Sequence, residues 1–226
     1  MEVLTAPGAA TAGRDFIAVV RPDDSTIEPL RKLADKALDL RYSGPDKHDR
    51  AAVDSAAAAL GRMFAHKGQA THNLGLVIKA PGLATVTVDE ADGGRLIGLH
   101  VDNWSRHSLE DRASAPNRIS ANLGSDVRRL LFVNLRLSAI VALLTAARES
   151  VPKNAGPTEV GRRFMVRFPN YPVIAIEIAP GHAYIAPTED IIHDASTAQM
   201  THRDICLTVL GYFDAPRAAA TLELSS

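Results

Sequence analysis

From residue 73 onward the chain is cut into short apolar runs by turn-forming pairs. Pro81-Gly82, Asp92-Gly93-Gly94, Gly124-Ser125-Asp126 and Pro180-Gly181 each interrupt it before a run can grow to helical length. Gly and Pro supply backbone angles that end strands and helices alike, so runs bounded this way read as strands joined by tight turns. The runs are 73–79, 83–88, 95–100, 117–123, 127–135, 172–178, 183–187 and 205–212. Two of them, 117–123 and 127–135, are spaced as a hairpin. Residues 103–116 are polar and aperiodic, and read as a loop.

The first part of the chain has a different period. Residues 16–20 suit a short strand. Ser25-Thr26-Ile27-Glu28 then has capping-box spacing, and Ile27, Leu30, Leu33, Ala34, Ala37 and Leu38 recur at helical spacing up to Gly44-Pro45. A second helix is expected over 49–66, with the small residues Ala56 to Ala59 allowing close packing and Gly68 as its stop. Further helices are expected over 138–148 and 158–168. The fold class is therefore mainly β with flanking helices. The expected organisation is a flexible leader over 1–14 and a single domain over 15–226, with a helical part (25–68) and a β core (72–213).

Composition narrows the function classes. The chain has 226 residues, enough for one self-sufficient core. A net charge of −1 gives no electrostatic footprint for nucleic acid. Cys206 is the sole cysteine, which rules out an internal disulfide and suits a reducing interior. The first residues carry neither the basic nor the apolar segment of a signal peptide, and no run is long enough to span a bilayer. These features lead us to expect a soluble, cytoplasmic protein with a small-molecule partner, no nucleic acid and no membrane. An exposed sheet edge would leave pairing with a second copy open.

Four residues carry chemistry. His100 and Asp102 are spaced His-x-Asp at the end of the run that starts at Arg95. His193 follows Asp102 by 91 residues, and Arg203 follows His193 by 10. Two imidazoles and one carboxylate on one face of a metal leave positions open for other ligands, as in non-haem Fe(II) oxygenases. A second His-x-Asp, His202-Arg203-Asp204, has no histidine after it to complete a triad.

In these residues the chain resembles the Fe(II)/2-oxoglutarate-dependent dioxygenases, which carry His-x-Asp, a distal His and an Arg about ten residues later. The resemblance covers roughly 73–213. It implies a double-stranded β-helix, the cupin-like jelly roll; the N-terminal helices lie outside the resemblance and are expected to pack on one sheet. It implies Fe(II) held by His100, Asp102 and His193, with 2-oxoglutarate and O2 as co-substrates and the far carboxylate of 2-oxoglutarate on Arg203. The reaction it implies is hydroxylation or another oxidation of an unactivated C–H, releasing succinate and CO2. A carboxylate at position 102 argues against halogenation, for which relatives carry a small residue there. One departure is Ile205, where many members place Ser or Thr beside the arginine's carboxylate partner.

Alternation over 118–122 puts Arg118, Ser120 and Asn122 on one face. Ser120 and Asn122 become candidates to assist with the co-substrate, and Arg118, Trp104 and Tyr184 candidates to meet the substrate. Arg106 and Arg112 read as solvated loop charges. An amino acid or a biosynthetic intermediate suits a chain this short. Two other classes remain open on sequence: a cupin-like metal enzyme that uses no 2-oxoglutarate, and a metal-free β-sandwich binding module.

Overall fold

A computed structural model describes residues 16–43, 50–65, 69–89, 93–152, 154–214 and 220–223. The elements in chain order are β1 (Phe16–Val20), α1 (Asp24–Ser43), α2 (Arg50–Phe64), β2 (His72–Lys79), β3 (Val88–Asp89), β4 (Arg95–Leu96), β5 (Asn117–Asn122), β6 (Arg128–Arg136), α3 (Leu137–Ala146), α4 (Pro157–Arg167), β7 (Ile174–Ile178), β8 (Ala183–Ala186), β9 (Ile191–Ser196), β10 (Asp204–Gly211) and β11 (Ala220–Glu223). They form a six-stranded sheet in the order β11-β1-β8-β5-β10-β2, a three-stranded sheet β7-β6-β9, and the small pair β3-β4. Every pairing is antiparallel. Neighbours far apart in sequence, such as β5 between β8 and β10, give the sheet its jelly-roll crossovers.

The two larger sheets enclose an interior, and helices cover their outer faces. On the outside of the six-stranded sheet, Ile27, Leu30 and Ala34 of α1 and Ala57, Leu60 and Phe64 of α2 pack on Ile119, Ala121, Ile185, Ile205, Leu207 and Val209. The Ala-rich middle of α2 lets it lie close. Over the three-stranded sheet, Leu137, Ile140 and Leu144 of α3 and Val160 and Phe164 of α4 pack on Val133, Leu135 and Ile192. A Cβ on Gly161 would stand 3.1 Å from Cγ1 of Ile192, so α4 lies tight against β9 there. Between the sheets, Ile17, Leu130, Phe132, Ile178, Tyr184, Ala186 and Ile191 make the apolar end of the interior.

The expected helices form within a few residues of their sequence bounds. The start of α1 is set differently: Asp23 accepts from the Thr26 amide (2.8 Å) and the Ser25 hydroxyl (2.6 Å), so the cap precedes the Ser25 box. The expected stop at Gly68 lies outside the described residues. The hairpin expected over 117–135 does not form. β5 pairs with β8 and β10, while β6 pairs with β7 and β9. The Gly124–Asp126 turn therefore carries the chain from one sheet to the other. Turn residues show that the chain reverses, but not which partner each strand finds. The run 83–88 is mostly irregular, and β9 and β11 are strands that the alternation of apolar residues does not announce.

Candidate metal centre

His193 sits in the middle of β9, one residue after Ile192. Alternation sends Ile192 outward to the helices and His193 into the interior. His100 follows the short β4 and is held opposite by a two-way bridge: its amide donates to the His193 carbonyl (3.0 Å) and the His193 amide to the His100 carbonyl (2.8 Å). The two rings, distant in sequence, stand with centroids 4.8 Å apart. Asp102 lies two residues on, its amide donating to the carbonyl of Thr188 at 3.0 Å. His100, Asp102 and His193 are all buried, and their candidate ligand atoms lie within 4.8 Å of one another.

The donor chemistry fits a divalent metal. Nδ1 of His100 faces the Gly98 carbonyl at 3.0 Å and Nδ1 of His193 the Ile191 carbonyl at 3.3 Å. A carbonyl only accepts, so each Nδ1 carries a proton, and each Nε2 is turned toward Asp102. Such backbone anchoring of the outer nitrogen is how ligating histidines are oriented. Nε2 of His100 is 3.4 Å from one Asp102 oxygen and Nε2 of His193 is 3.7 Å from the other.

Electrostatics favour the metal-binding form at Asp102 and His193, and the protonated form at His100. Burial would raise the Asp102 carboxyl, but Arg118, then His193 and His100, outweigh it and hold it well below the usual carboxylate range. Burial pushes His193 down to about 3; Asp102 opposes this, while His100 and Arg118 add to it. For His100 burial is again the largest influence and lowers it. The hydrogen bond and charge of Asp102, with Asp194 and the Gly98 carbonyl, reverse the sign and leave it raised. One ionised carboxylate and a neutral His193 are the forms that bind metal.

Arg118 on β5 completes the cluster. It donates to Asp102 Oδ2 at 2.9 Å, to the Tyr184 hydroxyl at 2.8 Å and toward His193 Nε2 at 3.2 Å. Beside the triad is a cavity of about 310 Å³, lined among others by Lys79, Trp104, Arg118, Ser120, Arg128, Tyr184, Cys206 and Thr208. Of the sequence candidates, Arg118, Ser120 and Tyr184 thus face the cavity. Ser120 shares a hydrogen bond with Thr208 at 3.2 Å. Trp104 stands at the cavity and is 58% exposed.

Two candidates are placed elsewhere. Asn122 is buried, but its amide donates to the carbonyls of Asp126 and Ile178 and its oxygen accepts from the Gly124 amide, so it braces the crossing turn. Arg203 is exposed and lines a separate surface groove with Arg31, Lys32, Gly124 and His202. The reason is strand phase. In β10 the residues Asp204, Cys206 and Thr208 line the cavity, while Ile205, Leu207 and Val209 go to the core under α1 and α2. Arg203 precedes the strand on that second side.

The interior arginine that sequence reading missed is Arg128, the first residue of β6. It is 5% exposed, lies 3.3 Å from Asp204 and donates to the Cys206 sulfur. Burial would lower it, but Cys206 and Asp204 reverse the sign and keep it charged. A signal for it exists in Arg128-Arg129-Leu130-Leu131-Phe132: Arg128 shares its phase with the interior Leu130 and Phe132. Arg129 points outward to Glu177 at 2.6 Å. Arg112 was also misread as a surface charge; it is 3% exposed and paired with the fully buried Glu189.

No protein-family model matches the chain, and no curated protein matches it. Among solved structures it is similar to the non-heme alpha ketoglutarate dependent epimerase SnoN from nogalamycin biosynthesis. That likeness has a TM-score of 0.46 and 12% identity over 91% of this chain and 80% of that one. It is also similar to AviO1 from Streptomyces viridochromogenes Tue57, with a TM-score of 0.44 and 16% identity over 90% of this chain and 92% of that one. At these scores neither likeness carries an argument about activity. The site itself supplies that argument: a buried His-Asp-His group at the edge of a cavity that also holds arginines.

Proposed function

We propose that the chain is an Fe(II)- and 2-oxoglutarate-dependent oxygenase. It would oxidise an unactivated C–H of a small molecule, an amino acid or biosynthetic intermediate, with release of succinate and CO2. The observation that carries the reading is the gathering of His100, Asp102 and His193 into one buried donor set beside a cavity with two inward-facing arginines. Fe(II) bound by the three residues would supply dioxygen activation, and its remaining positions would take a chelating co-substrate.

The protein's own residues have separable parts in this reading. Arg118 hydrogen-bonds one Asp102 oxygen and so leaves the other to the metal. Arg128 takes the role that the resemblance gave to Arg203. Its guanidinium is a fork suited to a carboxylate and lies at the buried side of the cavity. Ser120 and Thr208 offer hydroxyls on the same lining. Trp104 and Tyr184 present an apolar body with a polar edge to a substrate entering the cavity.

A second reading is favoured by one contact. Asp204 already answers the charge of Arg128 at 3.3 Å, which suits a cupin-like metal enzyme that takes no dicarboxylate. Anaerobic reconstitution with Fe(II) followed by 2-oxoglutarate separates the two. A weak visible metal-to-ligand band in the wild type, absent in His193→Ala, is expected. Iron bound without that band supports the second reading, and no iron bound overturns both.

A further inference from the structure

Asp102 belongs to no strand: Arg118 grips its carboxylate, and its backbone is held by contacts outside the strand ladders. The segment that follows it is fastened to the stretch just before β9 by a buried network centred on Glu189. Both carboxylate oxygens of Glu189 accept from the Ser105 amide, at 3.0 and 3.2 Å, and Oε2 also accepts from the Ser105 hydroxyl at 2.5 Å. Arg112 donates from Nη1 to Glu189 Oε2 at 3.2 Å and to the backbone carbonyl of Asp102 at 3.0 Å. Its Nη2 donates to the Asn103 side-chain oxygen.

A buried ion pair is weak grounds for stability, because desolvation cancels most of its attraction. What this pair supplies is direction: its hydrogen bonds end on the backbone of Asp102 and Ser105, on either side of Trp104. Glu189 in turn lies four residues before His193, on the connection that leads into β9. One carboxylate therefore ties the Asp102 segment to the strand bearing the distal histidine.

We infer that Glu189, acting with Arg112, is a positioning residue that holds Asp102 and Trp104 in register with His193. The inference rests on Asp102 being a metal ligand. Glu189 touches neither the metal donors nor the cavity, so its effect must travel through the loop.

The test uses Co(II) as a spectroscopic probe of the metal centre and Trp104, the only tryptophan, as a reporter of the loop. In Glu189→Gln an amide N–H would face the Ser105 donors, and the latch should open. Its Co(II) dissociation constant should rise about 10–100-fold, the range for residues that orient ligands. Acrylamide should quench Trp104 more strongly, while far-ultraviolet circular dichroism stays unchanged. Ser105→Ala removes only the hydroxyl and should shift both readouts the same way by a smaller factor; it serves if the glutamine variant does not fold.

If wild-type protein binds no Co(II), the metal reading itself is lost. If the wild type binds and both variants bind as tightly, the positioning role is overturned, even if their melting temperatures fall. Weakened binding with unchanged Trp104 quenching overturns it as well, since the effect would not have come through the loop.

Discussion

The proposed exchange of Arg203 for Arg128 can be tested by two substitutions with opposite expectations. Arg128 is buried and its guanidinium lies 3.3 Å from the equally buried Asp204, so deleting it would strand a carboxylate and cost stability for reasons unrelated to function. Arg128→Lys avoids this: the charge stays to answer Asp204, and what is lost is the second arm of the fork. A hydrogen bond to a charged group contributes about 1.5–3 kcal/mol. Losing one from a dicarboxylate anchor should therefore raise the KM for 2-oxoglutarate about 10–150-fold, at about 1.4 kcal/mol per decade. Arg203 is exposed on the other side of β10, and Arg203→Ala should leave that KM within about twofold, the effect of a remote surface change. The assay is succinate release at saturating Fe(II) with 2-oxoglutarate varied, using uncoupled turnover if no substrate is in hand. A tenfold rise in KM for Arg203→Ala, with Arg128→Lys unaffected, would refute the phase argument and restore the assignment implied by resemblance.

Other expectations follow from the same geometry. His100→Ala and His193→Ala should each abolish stoichiometric Fe(II) binding by equilibrium dialysis while preserving the circular dichroism spectrum. For the third ligand Asp102→Asn is the better choice, since it keeps a partner for Arg118; it should weaken iron at least 10-fold, as expected of even an outer-shell loss. Burial holds His193 near 3 against an ordinary value of 6.5, so between those values the unfolded chain binds a proton that the folded one refuses. The contribution of His193 to metal-free stability is thus complete above about pH 6.5 and falls as pH drops toward 3, by about 2 kcal/mol between pH 7.5 and 5, while His100, whose value is raised, works in the opposite direction. Urea midpoints of the wild type and His193→Gln at the two pH values check this, and an identical pH dependence in the two proteins would contradict it. Gly161→Val would drive a branched side chain into Ile192, next to His193. Overpacking of this kind costs about 1–3 kcal/mol, so the melting temperature should fall by several degrees, and an unchanged value would show that α4 yields.

Several features could be read along the chain because they depend on neighbours in sequence. Helical periodicity located α1, helix-compatible runs between breakers located α2 to α4, and turn pairs located most strand ends, since all are set by local backbone preferences. His100, Asp102 and His193 were found as residue types at a spacing, and the structure brings their donor atoms within 4.8 Å. What the sequence could not reveal was partner and phase. The strands at 117–122 and 128–136 looked like a hairpin, yet each found its neighbours in a different sheet, because pairing is decided by which faces must be buried. The placing of Arg203 and Arg128 was illegible for the same reason. Both faces of β10 are buried, so alternation there cannot say which one meets the cavity. Only the tertiary packing, with helices claiming Ile205, Leu207 and Val209, turns Asp204, Cys206 and Thr208 inward and makes Arg128 of the opposing sheet a second interior cation beside Arg118.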